Sequence, residues 1–292
     1  MRRDARRLAL VAVLVLLSWS VSGTRTVLYE RESAYNHIVV SEDRGGRRYL
    51  QFEKGGALQS VVRPGHPLEL ELPYTRVAMV GLAFVPAPRR ILVVGLGGGA
   101  MPMFLRALLP EAHIDVVDID PDVVEVARRY FGFQEDPALR AHVADGRRFI
   151  ESPGPAYDLI LLDAYGARSI PKHLVTREFL AAVRARLTGA GAVVSNVWEQ
   201  RSNPLFDSMV RTYQEGFVQL YTFQVPSSDN RILVGLPHSV KPSREALEAR
   251  AERLERERGV PFDLSALVVR GYEDATDRPA RGQELVDPAG SP

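Results

Sequence analysis

The chain has 292 residues, of which 46% are hydrophobic and 25% charged, a composition that is typical of a folded globular protein and excludes a wholly disordered chain. It contains no cysteine, which excludes disulfides, thiolate metal sites and a cysteine nucleophile. The net charge of +1 divides into +3 for residues 1–22 and −2 for the remainder, so the folded body lacks the basic surface that nucleic acids require.

The N-terminus has the pattern of a targeting segment. Residues 1–7 include four arginines, and residues 8–24 then continue for 17 positions without a charge. A basic start, an apolar middle and small residues near the end are the three parts of a secretory signal. We therefore predict a signal peptide or membrane anchor over residues 1–25, and a chain that is exported or tethered to a membrane through residues 8–24. A cytoplasmic location is the alternative.

Residues 26–72 are predicted to form a small antiparallel β-domain. Apolar and polar side chains alternate in short runs that glycine pairs separate, which is the pattern of strands joined by turns. The predicted strands are 35–40, 48–52 and 57–62. Pro73 can open a helix, which we expect over residues 74–84.

From residue 90 the pattern changes to strands that alternate with helices. Residues 91–94 form a continuous apolar run, typical of a strand buried on both faces of a parallel sheet. We assign residues 73–240 to this α/β domain, and residues 241–292 to a charged helix at 243–258 and a flexible tail. The later predicted elements are 101–109, 114–119, 121–130, 141–143, 159–162, 176–187, 192–196, 206–216, 219–225 and 231–236.

A glycine-rich turn follows the first parallel strand. Residues 95–99 read Gly-Leu-Gly-Gly-Gly, and glycine permits a positive φ and the close approach of a ligand. The N-terminus of the helix beyond favours a negative group. Asp118 ends the second strand, 23 residues after Gly95, where a carboxylate can accept both hydroxyls of a ribose. The spacing predicts a nucleoside site.

Two further aspartates end later strands. Asp145, followed by Gly146, ends the third strand, where a carboxylate can accept the amine of adenine, and Asp163 ends the fourth. These strand ends share the carboxyl edge of one sheet, where ligands of open α/β folds bind. The alternatives are that these residues are ordinary turn residues and helix caps, or that the chain is a Rossmann dehydrogenase, although no nicotinamide pocket is evident.

Four segments resemble the spermidine synthase family: residues 91–99, 117–121, 143–146 and 158–163. Three segments upstream extend the resemblance to roughly residues 30–240 and are similar to the family's N-terminal β-domain and the segment after it: 33–38, 56–59 and 72–75. The resemblance implies an α/β fold of the class I methyltransferase type, with a Rossmann-like seven-stranded sheet behind a small antiparallel β-domain. The variant most resembles the spermidine-synthase-like domains that occur alone or fused to membrane transporters in bacteria.

The resemblance also implies a function and a site. It implies transfer of an aminopropyl group to a small amine from decarboxylated S-adenosylmethionine or a related sulfonium nucleoside, with no metal, and it allows a homodimer. Asp163 would bind the acceptor amine and take its proton, which must happen because an ammonium is not a nucleophile. Tyr74 and Tyr165 would line the amine pocket. The adenosyl co-substrate would be bound by Gln59, Gly95, Gly97, Gly98, Gly99, Asp118, Ile119, Asp145 and Gly146.

The chain also departs from the family pattern. Gly98 and Gly166 stand where the family has acids that bind cationic amines, and Asn36 and Thr75 stand where it has glutamines. The family also has a tyrosine near the loop that contains Pro226, and the residue closest to that position in this chain is Val225. We therefore expect aminopropyl transfer to putrescine to be slow or absent while the nucleoside still binds. The alternatives are a methyltransferase that uses intact S-adenosylmethionine, or a binding protein that has lost turnover.

Overall fold

The computed structural model describes residues 25–164, 171–279 and 281–289. Within them, four antiparallel strands form a first sheet in sequential order, with a glycine at positive φ in the turn before β3 and in the turn before β4. The strands are β1 (Thr26–Glu32), β2 (His37–Glu42), β3 (Arg48–Gln51) and β4 (Leu58–Val62). Residues 26–62 therefore form the small antiparallel β-sheet that the sequence predicts, and β1 is a fourth strand in addition to the three predicted ones.

The second sheet contains the other eight strands of the described residues. These are β5 (Arg90–Val94), β6 (His113–Asp118), β7 (Leu139–Val143), β8 (Tyr157–Leu162), β9 (Leu187–Trp198), β10 (Gln219–Gln224), β11 (Asn230–Leu236) and β12 (Tyr272–Asp274). Their order is β12-β10-β11-β9-β8-β5-β6-β7. Strands β5 to β9 pair in parallel, and the pairs that involve β10, β11 and β12 are antiparallel. This confirms the predicted α/β fold of the methyltransferase type.

Helices cover both faces of the second sheet, which buries two separate apolar clusters. They are α1 (Pro73–Ala78), α2 (Gly81–Phe84), α3 (Ala100–Leu108), α4 (Pro121–Tyr130), α5 (Gly146–Glu151), α6 (Arg177–Ala185), α7 (Phe206–Gly216), α8 (Arg244–Arg258) and α9 (Leu264–Gly271), with a 3₁₀ turn at Lys172–Leu174. The single helix predicted over residues 74–84 is two short ones. Gly81 lies so close to β9 that a Cβ there would be 2.5 Å from Val194 Cγ2.

The C-terminal region differs from the prediction. The charged helix α8 is present, capped by the Ser243 hydroxyl at its start and ended by Gly259 at φ +70°. The region after it is not a flexible tail, because α9 and β12 follow, and β12 adds an eighth strand at the edge of the predicted seven by pairing with β10. Residues 264 and 268 belong to the main apolar cluster, which explains why this segment packs on the domain.

The first sheet packs against α4 through apolar side chains that include Val40, Phe52 and Phe131. A polar contact joins the same two parts of the chain. Ser33 donates a 2.5 Å hydrogen bond from its hydroxyl to Oδ2 of Asp120, and Asn36 donates one of 3.1 Å from its side-chain amide to the same oxygen. Because Asp120 is fully buried, this contact fixes the loop before β2 against the carboxyl end of β6.

The prediction that the chain is exported or tethered to a membrane is not supported. No helix within residues 25–164, 171–279 and 281–289 is long and apolar enough to cross a membrane. Residues 1–24, on which the prediction rested, lie outside the described residues.

Candidate active site

A cavity of about 540 Å³ lies between the two sheets, at the carboxyl edge of the parallel strands. The residues at the ends of the parallel strands line the cavity, so the order of the strands determines the order of these residues along its wall. Across the sheet these are Asp145 after β7, Asp118 at β6, Gly95 after β5, Asp163 after β8 and Asn196 near the end of β9. The three aspartates predicted from separate motifs therefore line one cavity.

The glycines of the turn after β5 differ in their position relative to the cavity. Gly95, at φ +100°, lies so close to β8 that a Cβ there would be 2.3 Å from the Asp163 carbonyl oxygen. Gly95 and Gly97 line the cavity. Gly98 and Gly99 do not line it, and a Cβ on Gly98 would be 2.8 Å from both a Phe131 ring carbon and the Ser60 hydroxyl. An acid at position 98 would therefore need Ser60 and Phe131 to move.

Asp118 is held by the backbone around it. Its Oδ2 accepts a 2.9 Å hydrogen bond from the Leu96 N–H, and its Oδ1 accepts one of 2.9 Å from the Asp120 N–H. Burial raises the pKa of Asp118 to about 6, although these hydrogen bonds favour the charged form. Ile119, which follows it, is 38% exposed and lines the cavity, so a carboxylate and an apolar side chain face the same space.

Asp145 caps α5 by accepting a 3.0 Å hydrogen bond from the Arg148 N–H. Its Oδ2 lies 2.9 Å from His173 Nε2, and both side chains line the cavity. Burial acts to raise the pKa of Asp145, but the hydrogen bonds from Arg148 and His173 outweigh it and lower the pKa. Gly146 packs tightly on β5, where a Cβ would be 2.5 Å from Val94 Cγ1.

Asp163 accepts a hydrogen bond on each carboxylate oxygen. The Asn196 side-chain amide donates to Oδ1 over 2.8 Å, and the Tyr74 hydroxyl donates to Oδ2 over 3.1 Å. Burial raises the pKa of Asp163 to about 7, and the two donors act to lower it. Burial and the nearby Asp163 charge raise the pKa of Tyr74, so Tyr74 stays a donor. A carboxyl that titrates near neutral pH suits proton transfer.

A chain of polar side chains continues from Asp163 along the cavity wall. The Asn230 amide donates a 2.8 Å hydrogen bond to the Asn196 side-chain oxygen, and the Ser228 hydroxyl lies 2.5 Å from the Asn230 side-chain oxygen. Asn196 could have been predicted as a site residue from the sequence, because it ends the apolar run of the predicted strand 192–196. Asn230 and His173 gave no comparable signal, because neither ends a predicted parallel strand.

Of the remaining predicted residues, one lines the cavity and the others lie in a part of the chain that the structure does not describe. Gln59 lines the cavity, and its backbone carbonyl accepts a 3.4 Å hydrogen bond from the Tyr74 hydroxyl. Tyr165 and Gly166 lie outside the described residues. The roles assigned to the individual site residues stay predictions.

Comparison with known proteins identifies the family. The sequence profile described as "Spermine/spermidine synthase domain" matches residues 72–234. A polyamine aminopropyltransferase of Vibrio vulnificus is 39% identical over 246 residues, which cover 82% of this chain and 81% of that protein. The structural neighbours include a probable spermidine synthase from Corynebacterium glutamicum, with a TM-score of 0.74, 23% identity and coverage of 91% of this chain and 98% of that one.

Human methyltransferase-like protein 13 in complex with SAH is a further neighbour, with a TM-score of 0.60, 30% identity and coverage of 65% of this chain and 94% of that one. This likeness agrees with the α/β fold of the methyltransferase type. Since the family profile covers more than half of the chain, and a relative of 39% identity covers most of it, the chain belongs to the spermine/spermidine synthase family.

Proposed function

We propose that the chain transfers an aminopropyl group from decarboxylated S-adenosylmethionine to an amine, with Asp163 as the base. The observation that carries the proposal is the charge of the cavity wall. The described residues that line it include three carboxylates, Asp118, Asp145 and Asp163, and no lysine or arginine. Decarboxylated S-adenosylmethionine is a cation at both sulfur and nitrogen and carries no carboxylate, so the net negative charge of this wall favours it over a ligand that brings a carboxylate.

The nucleoside fits the half of the cavity formed by β5, β6 and β7. Asp118 would accept the ribose hydroxyls, Ile119 would pack on the adenine, and Asp145 would accept its amine. The sulfonium would then lie towards Gly95, which lines the cavity directly after β5. In this order the reacting carbon would lie between the nucleoside half and Asp163.

The chemistry requires one proton acceptor. The acceptor amine enters as an ammonium and gives a proton to Asp163, which frees the nitrogen lone pair. The nitrogen attacks the carbon beside sulfur, a C–N bond forms, and the C–S bond breaks with its electron pair retained by sulfur. The products are methylthioadenosine, which is a neutral thioether, and the aminopropylated amine, which takes over the positive charge. Asn196 and Tyr74 hold the Asp163 carboxylate in place for this step.

Methyl transfer from intact S-adenosylmethionine is the second candidate, and the likeness to human methyltransferase-like protein 13 in complex with SAH favours it. The two candidate functions differ in the co-substrate, which is decarboxylated S-adenosylmethionine for aminopropyl transfer and intact S-adenosylmethionine for methyl transfer. Intact S-adenosylmethionine brings a carboxylate into a cavity whose described walls offer three carboxyl groups and no basic side chain except His173. We therefore expect calorimetry to show at least tenfold tighter binding of the decarboxylated form.

The test is an assay for methylthioadenosine with decarboxylated S-adenosylmethionine and a panel of amines. Asp163→Asn keeps the shape of the side chain and removes the base, so we expect a loss of turnover of about 10²- to 10⁴-fold. Asp277→Asn, on the exposed surface, is the control and should leave turnover unchanged. Tighter binding of intact S-adenosylmethionine together with a methylated product would overturn the proposal.

A further inference from the structure

The half of the cavity beyond Asp163 is built by β8, β9 and β11. In the strand order, β8 lies two strands from β6, or about 10 Å at the usual strand spacing. Asn230 opens the antiparallel strand β11 and pairs in register with Trp198 at the end of β9. The start of β11 therefore lies beside the carboxyl ends of the parallel strands. We call the part of the cavity beyond Asp163 the acceptor half, and it extends away from the part that would bind the nucleoside.

Among the residues that the structure describes, the acceptor half contains one carboxylate, that of Asp163. Its described wall beyond Asp163 consists of neutral side chains: Tyr74, Thr75, Asn196, Trp198, Ser228 and Asn230. The sequence of residues 165–170, which follows Asp163 and Ala164 along the chain, is Tyr-Gly-Ala-Arg-Ser-Ile and contains no aspartate or glutamate. A single negative charge can pair with a single ammonium.

Three of these neutral side chains form a continuous hydrogen-bonded chain that ends on that charge. The Ser228 hydroxyl lies 2.5 Å from the Asn230 side-chain oxygen, the Asn230 amide donates to Asn196, and the Asn196 amide donates to Asp163. Ser228 also accepts a 3.2 Å hydrogen bond from the Asn230 N–H. The far end of the acceptor half therefore offers hydroxyl and amide groups, which bind neutral polar groups and do not compensate a buried cation.

From this wall we propose that the acceptor is an amine with one cationic nitrogen and an uncharged, hydrogen-bonding remainder; the proposal rests on the aminopropyl transfer proposed above. The reacting ammonium would pair with Asp163 and lose its proton to it. A second ammonium, as in putrescine, would leave water and meet only dipoles, and a buried charge without a partner is costly. A hydroxyl at the same place would exchange hydrogen bonds with Ser228 or Asn230 at little cost.

The test compares three amines of similar length with decarboxylated S-adenosylmethionine: putrescine, 4-aminobutanol and butylamine. We expect kcat/KM for 4-aminobutanol to exceed that for putrescine by at least tenfold, and butylamine to fall below 4-aminobutanol because it cannot use the polar far end. Equal or better efficiency with putrescine would overturn the inference and leave the proposed function standing. Butylamine equal to 4-aminobutanol would overturn the hydrogen-bonding part. No turnover with any of the three would overturn both.

A charge introduced at the far end gives an independent check. Ser228→Asp adds a carboxylate that can still accept the Asn230 N–H, and Ser228→Asn is a control of the same size without the charge. The ratio of kcat/KM for putrescine to that for 4-aminobutanol should rise at least tenfold in the aspartate variant alone. A ratio that moves equally in both variants would show that shape, and not charge, selects the acceptor.

Discussion

Asn196 donates a 2.8 Å hydrogen bond from its side-chain amide to Oδ1 of Asp163, where two neighbouring parallel strands end. The donor favours the ionised form of a carboxyl that burial pushes towards the neutral form. Asn230, which donates to the Asn196 side-chain oxygen, keeps the amide turned so that its N–H groups face the carboxylate. The proton affinity of Asp163 is therefore set by β9 and β11 as well as by its own strand.

The pH dependence of turnover should follow Asp163. With a pKa of about 7, its ionised fraction grows between pH 6 and pH 8, so kcat/KM should rise over that range. Asn196→Ala removes a donor to the ionised form, which raises the pKa and moves the rise to higher pH. Gln200→Ala, an exposed amide just beyond the same strand, should leave the profile in place. A profile unchanged by Asn196→Ala would show that this hydrogen bond does not set the titration.

The parallel half of the site could be predicted from the sequence for a simple reason. In a parallel sheet every strand end reaches the same edge, so Asp118, Asp145 and Asp163 could be placed together without any knowledge of strand order. Asn230 could not, because it begins a strand. It reaches that edge only because β11 is antiparallel to β9. That depends on pairing between distant segments, which no local pattern encodes.

The position of Gly98 and the last strand of the second sheet could not be predicted either, because both depend on contacts between distant parts of the chain. The motif predicts that the glycine turn meets a ligand, but Gly98 does not line the cavity and packs against Phe131 and Ser60. Strand β12 is three residues long and is formed by pairing with Phe223, Thr222 and Tyr221 on β10. A strand so short has no periodicity to detect.

Asp118→Ala should weaken the binding of methylthioadenosine by more than tenfold. The carboxylate would accept two ribose hydroxyls, and hydrogen bonds to a charged group contribute about 1.5–3 kcal/mol each. Calorimetry with the variant measures the change. Asp122→Ala, four residues further on and outside the cavity wall, is the matched control. Equal dissociation constants for Asp118→Ala and the native chain would remove Asp118 from the nucleoside site.

Gly95→Ala should destabilise the fold and not only the site. A Cβ at this position would be 2.3 Å from the Asp163 carbonyl oxygen, and the backbone is at φ +100°. Left-handed backbone costs about 1–2 kcal/mol for a residue with a Cβ, and forced overpacking costs about 1–3 kcal/mol more. Thermal unfolding should show a lower Tm for Gly95→Ala than for Gly189→Ala, because Gly189 has no atom within 4 Å of its Cβ position and no positive φ. Similar midpoints would contradict the close packing of β5 on β8.

The ion pair between Arg147 and Asp287 should contribute measurably to holding the C-terminal segment 281–289 in place. Arg147, at the start of α5, makes two hydrogen bonds of 2.7 and 2.6 Å to the two oxygens of Asp287, and these side chains are only 16% and 18% exposed. The hydrogen bond from Arg147 lowers the pKa of Asp287 to about 2. Its stabilising contribution is therefore complete above the unfolded pKa of about 4 and is lost as the pH falls towards 2.

A double-mutant cycle with Arg147→Ala and Asp287→Ala measures this contribution in urea unfolding at pH 7. We expect a coupling free energy of about 1–2 kcal/mol, since bidentate pairs with limited exposure exceed ordinary surface pairs. Arg177 and Glu284 join the same segment to α6 over 3.2 Å, but Arg177 is 53% exposed, so the corresponding cycle should give less than about 0.5 kcal/mol. Equal coupling in the two cycles would mean that burial of the Arg147–Asp287 pair adds nothing. A larger value for Arg177 and Glu284 would place the main attachment of the segment on α6.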